Sequence, residues 1–92
     1  MNRAKILNMF AMYVQCDNDD PVPDNAAEYV DASIDNVMER IKSPSVASDP
    51  RLDFLAASQA NLNYRMQNDK DITQAITLYN NSLEICKTLL KA

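Results

Sequence analysis

The residue types that usually carry catalysis or bind metals are scarce in this chain of 92 residues. The chain has no histidine, which is the commonest general base and metal ligand. It also has no glycine, so it lacks the loops that cradle phosphates or dinucleotides. Cys16 and Cys86 lie far apart and match no metal motif, so we interpret them as free thiols in a core or interface. We therefore expect no catalysis, no cofactor, no metal and no small-molecule substrate.

Acidic residues dominate one long stretch, because no basic residue occurs between Lys5 and Arg40. The carboxylates there include Asp17, Asp19, Asp20, Asp24, Glu28, Asp31 and Asp35. The first three alternate loosely as in a calcium loop, but the glycine and the distal glutamate of such a loop are missing. The net charge of −4 argues against nucleic acid and anionic membrane surfaces as partners. The stretch fits either a solvated face or a surface that docks a partner or repels like charges.

The elements that must position these residues begin with an ambiguous segment at 2–16. Ile6, Met9, Phe10, Tyr13 and Val14 fit one helix face, but the same segment also alternates as a strand would. A hairpin would need its turn near residues 8–11. No small-x-small cleavage site follows the segment, and no apolar run approaches the ~20 residues of a membrane span, so we expect a cytoplasmic protein.

Two helices follow, separated by proline-marked breaks. The first is predicted to begin at Asp24 or Asn25 and to end shortly after Lys42, because Pro44 stops it. Asp49 and the proline after it are a strong helix start, and neither proline nor glycine occurs at 51–92. The sequence therefore predicts one helix of about 40 residues, ~60 Å long, which needs lateral packing to persist.

Apolar residues on the second half of this predicted helix recur at heptad spacing. The pattern, which we call the seam, runs through Arg65 and Asp69 and is otherwise apolar. We expect its apolar members to form an oligomer interface: Leu55, Leu62, Ile72, Ile76, Tyr79, Leu83, Cys86 and Leu90. The alternative is that the stripe packs inside a three-helix monomer. The predicted fold is mainly α, in a single domain 1–92. A small head at 1–48 contains one helix, preceded by an N-terminal β-hairpin if 2–16 is extended. A long coiled-coil helix for oligomerisation follows at 49–92.

Two sequence blocks resemble the cell-division protein ZapA family. They are AAEYVD at 26–31 and LDFLAASQANL at 52–62, and Val14 to Cys16 is similar to the second strand of the family's hairpin. Where that hairpin usually turns on a Phe-Gly pair, this chain has Asn8 and Met9. The resemblance implies a homodimer or homotetramer that binds and cross-links filaments of FtsZ at the division site. Because FtsZ is acidic, Arg40 and Lys42 are the partner-binding residues that we favour.

A second resemblance leads to a different function. Residues 43–62, with two Ser/Asp-Pro steps, and the C-terminal sequence KTLLKA are similar to inner-rod and needle subunits of type III secretion systems. That family implies a small helical structural subunit that polymerises on itself. Both resemblances imply a helix, a turn, a long helix, self-association and no catalysis.

Overall fold

Four α-helices make up the framework of this computed structural model, which describes residues 1–16 and 21–91. Their bounds are Arg3–Gln15 for α1, Ala26–Arg40 for α2, Arg51–Gln67 for α3 and Thr73–Cys86 for α4. A 3-10 turn, Pro44–Val46, lies between α2 and α3. The described residues contain no strand, only one isolated antiparallel bridge between Ile41 and Leu90.

The N-terminal segment is a helix, so the expected β-hairpin is wrong. Ile6, Phe10 and Val14, spaced four residues apart, are fully buried on one helix face. Met12, which a strand would place beside Phe10, is 64% exposed. The side chain of Asn2 caps the helix by accepting a hydrogen bond from the Lys5 backbone N–H at 3.1 Å. The burial of one helix face and this cap outweigh the alternating apolar pattern that would favour a strand. The chain also has no glycine for the turn of a hairpin.

The helix predicted from residue 24 or 25 is present as α2. It buries Val30, Ser33 and Val37, while Met38 beside Val37 is 42% exposed. Asn25 stands at the N-cap position, but its side chain makes no capping hydrogen bond. Arg40 lies in the last turn, where the helix dipole favours a positive charge.

The single long helix predicted at 51–92 is also wrong, because the chain turns back after α3. Asp69 adopts a left-handed backbone with φ of 54°, and the Lys70 N–H donates to the Arg65 carbonyl at 2.9 Å. A hydrogen bond from the N–H of one residue to the carbonyl five residues earlier is characteristic of the Schellman motif at helix ends. Asp71, the residue before the N-cap Ile72, then accepts hydrogen bonds from the N–H and hydroxyl of Thr73, at 3.0 and 2.8 Å. The helix thus ends and a new one begins without glycine or proline.

The other three helices all pack against α3. α1 runs roughly parallel to it, since Asn2 donates to Asp53 at one end and Arg65 to the Tyr13 carbonyl at the other. α4 runs antiparallel, with the Cys86 thiol against the carbonyl of Arg51. The buried residues of α3 include three alanines, whose small side chains let neighbouring helices approach closely: Leu52, Leu55, Ala56, Ala57 and Ala60.

Aromatic rings hold three of these helices together. The ring of Phe10 lies 6.1 Å from that of Tyr29 and 5.9 Å from that of Tyr64, and the two tyrosine rings are 5.6 Å apart. Both contacts of Tyr64 are edge-to-face, which the quadrupoles of the rings favour. In the described part of the chain, no helix has the length and apolarity needed to cross a membrane.

Candidate functional site

The two cysteines lie at opposite ends of the antiparallel pair α3 and α4. Cys16 is exposed beside the start of α4, whereas Cys86 is buried at its end and donates to the Arg51 carbonyl at 3.1 Å. Burial raises the pKa of the Cys86 thiol, so it stays protonated and unreactive near neutral pH. No cluster of metal-binding side chains occurs at 1–16 or 21–91. The calcium-like residues Asp17, Asp19 and Asp20 lie outside the described residues.

The seam residues are drawn largely into the chain's own core. Leu55 and Cys86 are fully buried, and three half-buried members pack against that core: Tyr79, Leu83 and Leu90. Leu62 and Ile72 are also half-buried, and Ile76 is 39% exposed. Because α4 covers α3, the seam residues of each helix find packing partners within the same chain. The oligomer interface stays a prediction, and in this structure a second chain could not reach Leu55 or Cys86.

Basic residues converge where the C-terminal segment, residues 87–91, meets the end of α2. The Lys42 N–H donates to the carbonyl of Leu89 at 2.9 Å, and the Lys91 N–H donates to the carbonyl of Arg40 at 2.8 Å. These bonds flank the bridge between Ile41 and Leu90. They fix the tail against residues that are about fifty positions earlier in the sequence.

The side chains at this junction differ in how firmly they are held. Arg40 donates to the hydroxyl of Tyr79 at 3.0 Å, and the Lys91 ammonium donates to the carbonyl of Glu39 at 3.0 Å. That carbonyl belongs to the last turn of α2, where the helix dipole attracts cations. The ammonium of exposed Lys42 makes no hydrogen bond or ion pair within the described ranges.

A fourth basic residue, Lys87, lies just after α4 and forms an exposed pair with Glu84 at 3.3 Å. Such a pair contributes little and leaves the ammonium available. We call the group Arg40, Lys42, Lys87 and Lys91 the basic end. Sequence reasoning had selected Arg40 and Lys42, but it missed the two lysines of the tail, because only tertiary contacts bring them there.

The neighbouring start of α3 adds no net charge to the basic end. Asp49 accepts hydrogen bonds from the Arg51 guanidinium at 3.0 and 2.8 Å and from the Arg51 N–H at 2.9 Å. The side-chain bonds, then the backbone bond, lower the pKa of Asp49 to about 2. The two charges thus neutralise each other and fix the entry into α3.

The described part of the acidic stretch lies along the exposed side of α2. Asp24, Glu28, Asp31 and Asp35 are all exposed. One of them is paired, since Arg3 donates to the two carboxylate oxygens of Asp31 at 2.7 and 3.1 Å and lowers its pKa. The others form an acidic face that leads toward the basic end.

Small cavities flank α3 on two sides. One of about 170 Å³ is lined in part by Arg65, a residue only 5% exposed, which donates to Asn61 and to the Tyr13 carbonyl, both at 2.9 Å. Another of about 170 Å³ lies between α2 and α3 beside Tyr29 and Gln67. Both are smaller than the roughly 300–1,000 Å³ that is usual for small-molecule sites.

Comparison with known proteins does not place the chain in a family. A scan against protein-family models, a search of curated proteins and a search of solved structures each gave no match. The similarity to the ZapA family and to secretion subunits therefore rests on the short sequence blocks alone.

Proposed function

We propose that this protein is a non-catalytic helical binding protein whose basic end docks on an acidic protein partner. The observation that carries the proposal is the contact that brings Lys91 against Arg40 and Lys42, with Lys87 four residues before it in the same tail, on a chain with net charge −4. These four are a large share of the nine basic residues in the chain. The rest of the surface would repel an acidic partner, so the basic end also determines its orientation.

The backbone geometry makes this cluster a prepared surface. The two hydrogen bonds between residues 40–42 and 89–91 hold the tail in place before any partner arrives. A partner therefore needs to order only the long side chains, which reduces the entropic cost of binding. Lys42 is exposed and unpaired within the described ranges, so it can meet a carboxylate without breaking an existing ion pair.

An FtsZ-like filament protein is the partner that we propose, with the division site in the cytoplasm as the location. The support is the resemblance of residues 26–31 and 52–62 to the ZapA family, together with the complementarity between the basic end and an acidic filament. The hairpin and long coiled coil usual in that family are not features of this fold. Cross-linking of filaments would further require a homo-oligomer, so that each particle carries two basic ends.

Co-sedimentation with polymerised FtsZ tests the proposal directly. We expect the wild-type chain to pellet with the filaments, Lys42→Glu to bind at least about tenfold more weakly, and binding to weaken with added salt. Met66→Glu with Gln74→Glu is the matched control, because it changes the net charge by the same two units at exposed positions near the opposite end of α3. Wild-type protein that stays in the supernatant would rule out FtsZ, and equal losses in the two variants would rule out the basic end.

A further inference from the structure

The turn between α3 and α4 contains an unfavourable backbone conformation. Asp69 has φ of 54°, the left-handed region that any residue with a Cβ atom occupies reluctantly and that glycine fills at helix ends. Residues 68–72 contain neither glycine nor proline, so an aspartate fills the left-handed position that glycine suits best. The closed turn therefore carries a backbone cost that an extended linker would not carry.

α4 and the tail are attached to the remainder of the described chain at three places. α4 packs against α3, with Cys86 against Arg51 and Ala75 near Asn61. Tyr79 of α4 accepts a hydrogen bond from Arg40 of α2, and beyond α4 the tail bonds to residues 40–42. None of these contacts requires that α4 belong to the same chain as α3, so an identical α4 from another copy would fit equally well.

We propose that two copies of this chain exchange α4 and the C-terminal segment. In the exchanged dimer α3 and α4 remain separate helices with the contacts described above, and only the linker at 68–72 changes, from a turn to an extended connection. Asp69 then leaves the left-handed region. Short linkers under strain favour this kind of exchange, because the open form regains the contacts of α4 and of the tail and loses the strain. It gives up only bonds of the turn itself, such as that from the Lys70 N–H to the Arg65 carbonyl.

Exchange changes the composition of the basic end. Arg40 and Lys42 would come from one copy, whereas Lys87 and Lys91 would come from the other. Each dimer would carry two such ends, which supplies the bivalency that filament cross-linking requires. This consequence rests on the proposed function, whereas the exchange itself can be tested without any partner protein.

A disulfide trap distinguishes exchange from other kinds of dimer. Ile41 and Leu90 form an antiparallel bridge, and the Cα separation of about 4.5–5.5 Å in such pairs suits a disulfide. The trap is Ile41→Cys with Leu90→Cys in a Cys16→Ser, Cys86→Ala background, oxidised after isolation of the dimer by size exclusion. Exchange predicts a covalent dimer of about twice 10.4 kDa on a non-reducing denaturing gel. A monomer band from that dimer fraction, or the absence of any dimer at about 100 μM, would overturn the proposal.

A pair of variants at one position provides a second measurement that does not depend on the trap. Asp69→Gly removes the left-handed penalty in the closed turn, so we expect the dimer dissociation constant to rise about tenfold or more. Asp69→Ala removes the same carboxylate but keeps a Cβ atom, so it should lower that constant or leave it unchanged. Sedimentation equilibrium measures both. An equal response of the two variants, or tighter dimerisation with glycine, would contradict exchange through a strained turn.

Discussion

Truncation of Phe10 is the sharpest test of how the N-terminal segment folds. Phe10 is fully buried between the rings of Tyr29 and Tyr64. Phe10→Ala should cost about 3–5 kcal/mol, since it removes the buried ring and leaves a cavity. A chain of this size has a total stability of roughly 5–14 kcal/mol, so the variant would lose a large part of it.

Met12→Ala is the matched control on the same helix. Met12 is 64% exposed, and alanine is the better helix former, so we expect a change within about 0.5 kcal/mol. A strand would place residues 10 and 12 on one face and make the two substitutions comparable, whereas a helix separates them by 200°.

Urea unfolding followed by far-ultraviolet circular dichroism measures both effects at one fixed protein concentration, because self-association would make stability concentration-dependent. With a slope of about 1 kcal/mol per molar urea, Phe10→Ala should lower the midpoint by about 3–5 M. Similar losses from the two variants would refute the helical assignment of α1.

Two further predictions concern groups whose titration the structure alters. Arg51 lowers the pKa of Asp49 to about 2, so the contribution of Asp49 to stability is present above about pH 4 and is lost as the pH falls toward 2. In acid titrations Asp49→Asn should therefore lose less stability than wild type over that interval. Superimposable curves for the two proteins would contradict the ion pair between Asp49 and Arg51. A disulfide reagent should modify exposed Cys16 at once and buried Cys86 only as the chain unfolds, so native protein should show one fast and one slow thiol. Cys16→Ser should abolish the fast phase, and two equally fast thiols would contradict the burial of Cys86.

Local signals in the sequence account for part of this fold. The limits of α2 follow from prolines on both sides and from Arg40 in the last turn, features that act within a few residues. The segment 2–16 stayed ambiguous because its apolar residues satisfy two periodicities, and tertiary packing, such as that of Phe10 on Tyr64, favours the helix. The break at Asp69 went unrecognised because neither glycine nor proline marks it. The signal was present in the Asn-Asp-Lys-Asp sequence at 68–71, whose short polar side chains suit turns and caps.

Only two of the four residues of the basic end could be predicted from the sequence, for a related reason. The resemblance to the ZapA family, together with the acidity of FtsZ, indicated Arg40 and Lys42. The contribution of Lys87 and Lys91 depends on α4 reversing direction and on the tail bonding to residues 40–42. The buried guanidinium of Arg65 was likewise placed on a polar part of the seam. In the fold its donors meet Asn61 and the carbonyl of Tyr13, and the latter is a backbone acceptor that no sequence pattern reveals.

The return of α4 along α3 is the feature on which the basic end depends. Spin labels at positions 51 and 87, both exposed and flanking the contact between Arg51 and Cys86, measure it by double electron–electron resonance in a Cys16→Ser, Cys86→Ala background. Packed helices 8–10 Å apart, with two label tethers, predict a distance below about 25 Å, within one chain or across an exchanged dimer. One continuous helix would separate the labels by about 54 Å. A distribution centred there, with no short component, would contradict the folded-back α4 and the basic end built on it.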